Sequence, residues 1–120
     1  MNRKYFLAPL ALGLLLAFPA TGMALGKAQG QGKVQITSPA NGATLDAMDE
    51  NKLVYDVDPG PRGDHVHVYV DDKEVGILRA LKGSYLLEAM PSGKRDLCVK
   101  VVNKAHVPVG IEQCVQVTVK

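Results

Sequence analysis

Between residues 64 and 71 apolar and polar side chains alternate without a break. Val66, Val68 and Val70 fall on one side; His65, His67, Tyr69 and Asp71 fall on the other. A period of two marks a half-buried β-strand. The valines are therefore expected to face a core, with the two histidines side by side on the opposite, wetter face. The same rhythm recurs along the chain. Val34 and Ile36 define a first strand, and Leu53, Tyr55 and Val57 share a face within Lys52–Asp58. Leu97, Val99 and Val101 are expected inward, with Cys98 and Lys100 outward. In the last strand Val115, Val117 and Val119 point in, leaving Cys114, Gln116 and Thr118 outside. Glu74–Leu81 and Ser84–Ala89 are two further strands. In the second, Tyr85, Leu87 and Ala89 compete with Leu86 and Met90 for the inner face, and the pattern leaves both assignments open.

Turn chemistry separates these segments. Ser38-Pro39-Ala40-Asn41-Gly42 is dense in turn formers. Asp58–Asp64 holds two prolines and two glycines in seven residues, a composition excluded from a sheet interior, so it is read as an exposed loop. Asp71-Asp72-Lys73 joins the histidine strand to the next as a hairpin. Pro91-Ser92-Gly93 turns the chain again, and Ala47–Asn51 fits either a loop or a short helical turn. No helix of three turns and no internal repeat is visible. About seven short strands with Gly/Pro turns between them predict an all-β domain over residues 34–120, an antiparallel sandwich of the immunoglobulin or fibronectin-III type.

The N-terminus reads differently. Asn2-Arg3-Lys4 precedes an apolar run from Tyr5 to Phe18 and small residues through Ala24. This is the pattern of a secretory signal peptide, residues 1–24, cleaved after Ala24. The run is short for a membrane span, which needs roughly 20 apolar residues; an uncleaved anchor is the alternative. Residues 25–33, rich in Gly and Gln, form a flexible lead-in. The expected location is periplasmic or secreted, with no membrane contact once the leader is gone.

Removing the leader changes the charge. The 120-residue chain has 14 basic and 12 acidic residues, but Arg3 and Lys4 leave with the signal, so 12 of each remain. A neutral domain with no basic stripe lacks the electrostatic footprint of a nucleic-acid binder. Export also bears on the two cysteines, because an oxidising compartment favours a disulfide. Cys98 lies eight residues before His106 and Cys114 eight after it. A hairpin centred on His106 would set the cysteines opposite one another, about 4.5–5.5 Å apart, within disulfide reach. Free thiols, or a Cys2His2 zinc site without the usual CxxC spacing, are the weaker readings.

The candidate chemistry rests on histidine. In this fold the loop before the third strand and the loop before the last lie at one end. His65 and His67 leave the first loop and His106 sits near the tip of Asn103–Gly110, so all three are expected to gather there. Residues i and i+2 on a strand are about 6.6 Å apart, close enough for two imidazoles to meet one metal with bonds of about 2.0–2.1 Å. His106 would complete a three-nitrogen set for Cu2+ or Zn2+, closed by water or Asp64. The plainer reading is two polar residues on a solvated strand. Met48 and Met90 fall toward the other end, which disfavours a methionine-type Cu(I) site, and Met90 is expected in the core. No catalytic residues are assigned: none of Ser38, Ser84 and Ser92 sits in a nucleophile elbow, and no phosphate-binding glycine pattern is present.

Four stretches together resemble a known group. They are Ser38–Ala43, Gly63–Asp71, Met90–Lys94 and Asn103–Pro108. The pattern is similar to small secreted bacterial immunoglobulin-like domains of unassigned function, which carry an SPxxGA opening, an H-x-H strand ending in Asp, an LxPGxH turn and a late HxP loop. Arg95 and Asp64 stand here where such domains often have additional histidines, and the cysteine pair is a further departure. The resemblance implies the sandwich and the grouping of His65, His67 and His106; it implies no activity. The resulting expectation is an exported, non-enzymatic β-sandwich that binds copper or zinc. The alternative is a structural or protein-interaction module, its partner unspecified, that holds no metal.

Overall fold

The computed structural model describes residues 31–120. The expected leader and nearly all of the lead-in lie outside the described residues. Eight strands come in order: β1 (Lys33–Ser38), β2 (Thr44–Leu45), β3 (Asn51–Asp58), β4 (His65–Val70), β5 (Lys73–Leu78), β6 (Lys82–Leu87), β7 (Gly93–Val102) and β8 (Pro108–Val119). They form a three-stranded sheet, β1-β3-β6, and a five-stranded sheet, β2-β8-β7-β4-β5. Every pairing is antiparallel except β2 with β8. The all-β, two-sheet expectation therefore stands. The two-residue β2 is too short to carry a readable period, and alternation gives no sign of it.

The alternating residues meet between the sheets. Leu53, Tyr55 and Val57 from one sheet pack with Val66, Val68, Leu97, Val99, Val101, Val115, Val117 and Val119 from the other. Each fully buried side chain of this kind contributes about 1.5–3 kcal/mol of transfer free energy. The open choice on β6 is settled by its partner. Tyr85 lies opposite the core residue Leu53, so Tyr85 and Leu87 take the inner side, while Leu86 is half exposed. Met90 packs against the core edge as expected, and Met48 is solvent-exposed.

One flank of the sandwich is closed by Tyr85. Its hydroxyl donates to the Val75 carbonyl at 2.8 Å, tying edge strand β6 to edge strand β5. The ring lies over Gly76, where a Cβ would meet ring atoms at 2.7–2.9 Å. Gly76 is thus required by close approach, not by a turn.

Two irregularities interrupt the five-stranded sheet. Across β4 and β5 the register runs Val68 to Gly76 and then Tyr69 to Glu74, so Val75 is an extra residue in a bulge. Across β7 and β8 it runs Lys100 to Glu112 and then Val102 to Pro108, and Gly110 takes a positive φ of 91° within the surplus. Next to the second irregularity, in the same ladder, Cys98 pairs directly with Cys114 and the disulfide is formed, with an S–S distance of 2.01 Å.

Candidate metal centre

Directly paired residues of neighbouring antiparallel strands share a face of the sheet. Opposite His65 is Val102, opposite His67 is Lys100, and opposite Tyr69 is Cys98. These residues lie on the outer side of the five-stranded sheet, away from the main core. Sequence alternation assigns that side to water. The assignment needs correcting for the two histidines: His65 is 0 % and His67 2 % exposed, and Val102 is equally buried. The cover is the β7–β8 connection, residues 103–107. It folds back over the sheet face and brings His106 onto the two rings. Only His106 is exposed, so the cluster has two buried members and one at the surface.

Asn103 shapes that connection. Its side-chain oxygen accepts from the backbone N–H of Ala105 at 2.9 Å and of Val107 at 3.0 Å. Its own N–H donates to the Val107 carbonyl, and its carbonyl accepts from the His106 N–H, both at 2.9 Å. This is the self-turning chemistry Asn favours. It holds His106 at a φ of 65°, a left-handed conformation uncommon for a residue other than glycine.

Three ring nitrogens converge as a result. His65 Nε2 and His67 Nε2 are 3.2 Å apart, and His106 Nδ1 lies 3.3 Å from the first and 3.0 Å from the second. His65, His67 and His106 are the three residues that alternation and loop topology group together. Each ring offers one donor atom to a common point.

The other nitrogens of the two buried rings face carboxylates. Asp64 Oδ2 is 2.9 Å from His65 Nδ1, and Glu74 Oε1 is 2.7 Å from His67 Nδ1. The first is an aligned hydrogen bond. The second is a charge contact lying off the ring N–H axis, so it is electrostatic more than directional. The aligned Asp64 bond favours the proton on His65 Nδ1 and leaves its Nε2 free to act as a ligand. Arg79 stands 3.5 Å from the same Asp64 oxygen at the surface.

Asp64 does not close the metal set, as the sequence allows it to. It sits behind His65, on the wrong side of the ring. Glu74 escapes the sequence reading altogether. Simple alternation puts it on the inner face with Gly76 and Leu78, but the Val75 bulge turns it onto the histidine side. A bulge has no period to read, so only the cross-strand register reveals it. Burial, the largest cause, lowers the His67 pKa; the neighbouring His65 and His106 also lower it, and Glu74 opposes them. Further along the same face, Lys100 Nζ lies 4.6 Å from the centre of the Tyr69 ring, a cation–π contact.

No protein-family model and no curated protein matches this chain. Solved structures do. The fibronectin(III)-like modules of Clostridium thermocellum CbhA align with a TM-score of 0.59 at 17 % identity, covering 72 % of this chain and 95 % of the module. An engineered protein aligns with a TM-score of 0.53 at 20 % identity, covering 75 % of this chain and 20 % of its own. At such identities the likeness shows the fold alone: a fibronectin-III-like β-sandwich.

Proposed function

We propose that this protein is an exported, non-enzymatic β-sandwich that binds a divalent transition metal, copper or zinc, through His65, His67 and His106. The observation that carries the reading is the convergence of three ring nitrogens at 3.0–3.3 Å, with a carboxylate behind each buried ring. Bonds of about 2.0–2.1 Å to one ion bring ligand nitrogens to separations of this size. Solvated histidines on a strand would bond to water, whereas these three turn one ring nitrogen each toward a shared centre. Export is supported by the signal-like N-terminus and by the Cys98–Cys114 disulfide, a bond that persists in oxidising compartments.

The test is thermal. Zn2+ or Cu2+ added to metal-free protein should raise its melting temperature, because a ligand of the folded state stabilises it by mass action. A His65→Ala/His67→Ala variant should lose the shift. An equal shift in that variant would exclude these residues as the site.

A second reading, a protein-interaction module, is favoured by edge strand β5. Val75 and Ile77 are exposed there at 42 % and 47 %, and beyond the Val75 carbonyl that Tyr85 occupies, an edge strand is a route for strand addition. An absence of metal response together with concentration-dependent association would favour it.

A further inference from the structure

The separations among the three nitrogens say more than that a metal fits: granted the histidine-site reading, on which this inference rests, they bear on which ion the triangle suits. In a square plane, with bonds of about 2.0–2.1 Å, three donors include a trans pair about 4.1 Å apart and two cis pairs near 2.9 Å. A tetrahedron places every pair about 3.3 Å apart. The observed values are 3.2, 3.3 and 3.0 Å, with no long edge. The three rings therefore form one face of a coordination polyhedron, not three corners of a plane.

The number of donors narrows the polyhedron. A six-coordinate ion on this face would need three more ligands. Among the described residues the cluster has three protein donors. The two nearest carboxylates, Asp64 and Glu74, are engaged at Nδ1 on the far sides of the rings from the convergent Nε2 atoms. Neither reaches the centre without breaking the contact that orients its histidine.

The face is also held from three directions. Asp64 hydrogen-bonds His65, the Glu74 carboxylate lies against His67 as a charge contact, and the Asn103 turn fixes the backbone of His106 in its left-handed conformation. A planar arrangement would need one ring to swing out, against the burial of His65 and His67 and the fixed backbone of His106.

We infer that the site is built for a four-coordinate, tetrahedral ion, Zn2+ in preference to Cu2+, bound by His65 Nε2, His67 Nε2 and His106 Nδ1 with the fourth position open to a small exogenous donor. A d10 ion imposes no geometry of its own and accepts the face as it stands, whereas Cu2+ prefers a tetragonal plane, of which this face supplies two cis corners at most. Asn103 is then a positioning residue: it touches no metal but sets where the third nitrogen lies.

Co2+ is the probe, because its visible spectrum reports coordination number. Titrated into metal-free full-length protein, it should give the intense visible bands of a tetrahedral ion, and one equivalent of Zn2+ should abolish them. Thiocyanate added to the Co2+ form, without Zn2+, should shift the bands by entering the open position. A weak six-coordinate spectrum, or bands indifferent to thiocyanate, would overturn the inference while leaving metal binding intact. No uptake of Co2+ or Zn2+ by calorimetry would overturn the histidine-site reading itself. Asn103→Ala should weaken Zn2+ binding by about 10–100-fold, the range for groups that orient a ligand, and Asn103→Asp, which keeps the accepting oxygen, should restore it. Equal Zn2+ affinity in Asn103→Ala would remove its positioning role, and the melting temperature of each metal-free variant separates that role from folding.

Discussion

Glu74 reaches within 2.7 Å of His67 only because one extra residue, Val75, interrupts the β4–β5 ladder between them. Without the bulge the carboxylate would point toward the main core. A local departure from regular pairing thus supplies half of the support behind the buried rings, in keeping with the tendency of bulges to re-aim side chains beside functional sites.

Removing that support should weaken the metal without unfolding the domain. Glu74→Gln and Asp64→Asn should each lower Zn2+ affinity by about 10–100-fold. Both carboxylates are at least 30 % exposed, so metal-free melting temperatures should move little. Calorimetry and thermal melts on the same samples distinguish the two effects; unchanged affinity in both variants would show that neither carboxylate supports its ring.

Acid should destabilise the metal-free protein through His67. Its folded-state pKa lies below the ordinary 6.5, chiefly because the ring is buried. The unfolded chain therefore takes up that proton more readily. Stability from this group is complete above about pH 6.5, declines as the pH falls below it, and levels off once the folded-state value is passed. Melting temperatures of the metal-free protein across this window should fall on acidification, and His67→Gln should flatten the curve.

A second, more acidic limb belongs to Asp71. The backbone N–H of Asp96, followed by the Arg95 guanidinium, holds its carboxyl below the ordinary 3.8. A depressed acid stabilises above its unfolded pKa and loses that contribution as the pH falls through the lower folded value. Asp71→Asn tolerates the positive φ of 50° at this position and should blunt only the lowest-pH part of the profile. Its effect should be small, because the Arg95–Asp71 pair is partly exposed.

Replacing both cysteines by alanine should cost about 2–4 kcal/mol in denaturant melts, the usual effect of losing a loop-closing bond. The bond spans 16 residues with His106 at their midpoint. Metal affinity should fall less than in Asn103→Ala, since the β7–β8 ladder persists on both sides of the lost bond.

Gly76→Ala should be destabilising by about 1–3 kcal/mol, the range for forcing extra volume into a packed site. Its new methyl would meet the Tyr85 ring. Tyr85→Leu in the same chain should recover part of the loss, and a double-mutant cycle from urea unfolding measures the coupling.

Much of the molecule is legible in the sequence because period-two alternation is a direct record of a two-faced strand. Leu53, Tyr55, Val57, Val99, Val101, Val115, Val117 and Val119 are buried where that rhythm places them. The histidine grouping is legible from topology, since the strand leaving one loop and the neighbouring loop at the same end carry all three. The burial of His65 and His67 is not. Alternation reports one covered face, and a loop folding back onto the other leaves no trace in it. Glu74 is hidden by a register slip, and Asn103 by a turn whose hydrogen bonds are visible only in three dimensions.

The first four residues of β4 have an interior on either side, valines in the main core and imidazoles under the hairpin. Ordinary strands forgive replacement at every other residue, because one row of side chains is wet. Saturation mutagenesis across 65–68 should instead find four consecutive intolerant positions, and any substitution accepted at 65 or 67 should trade ion capture against the seating of the hairpin above it.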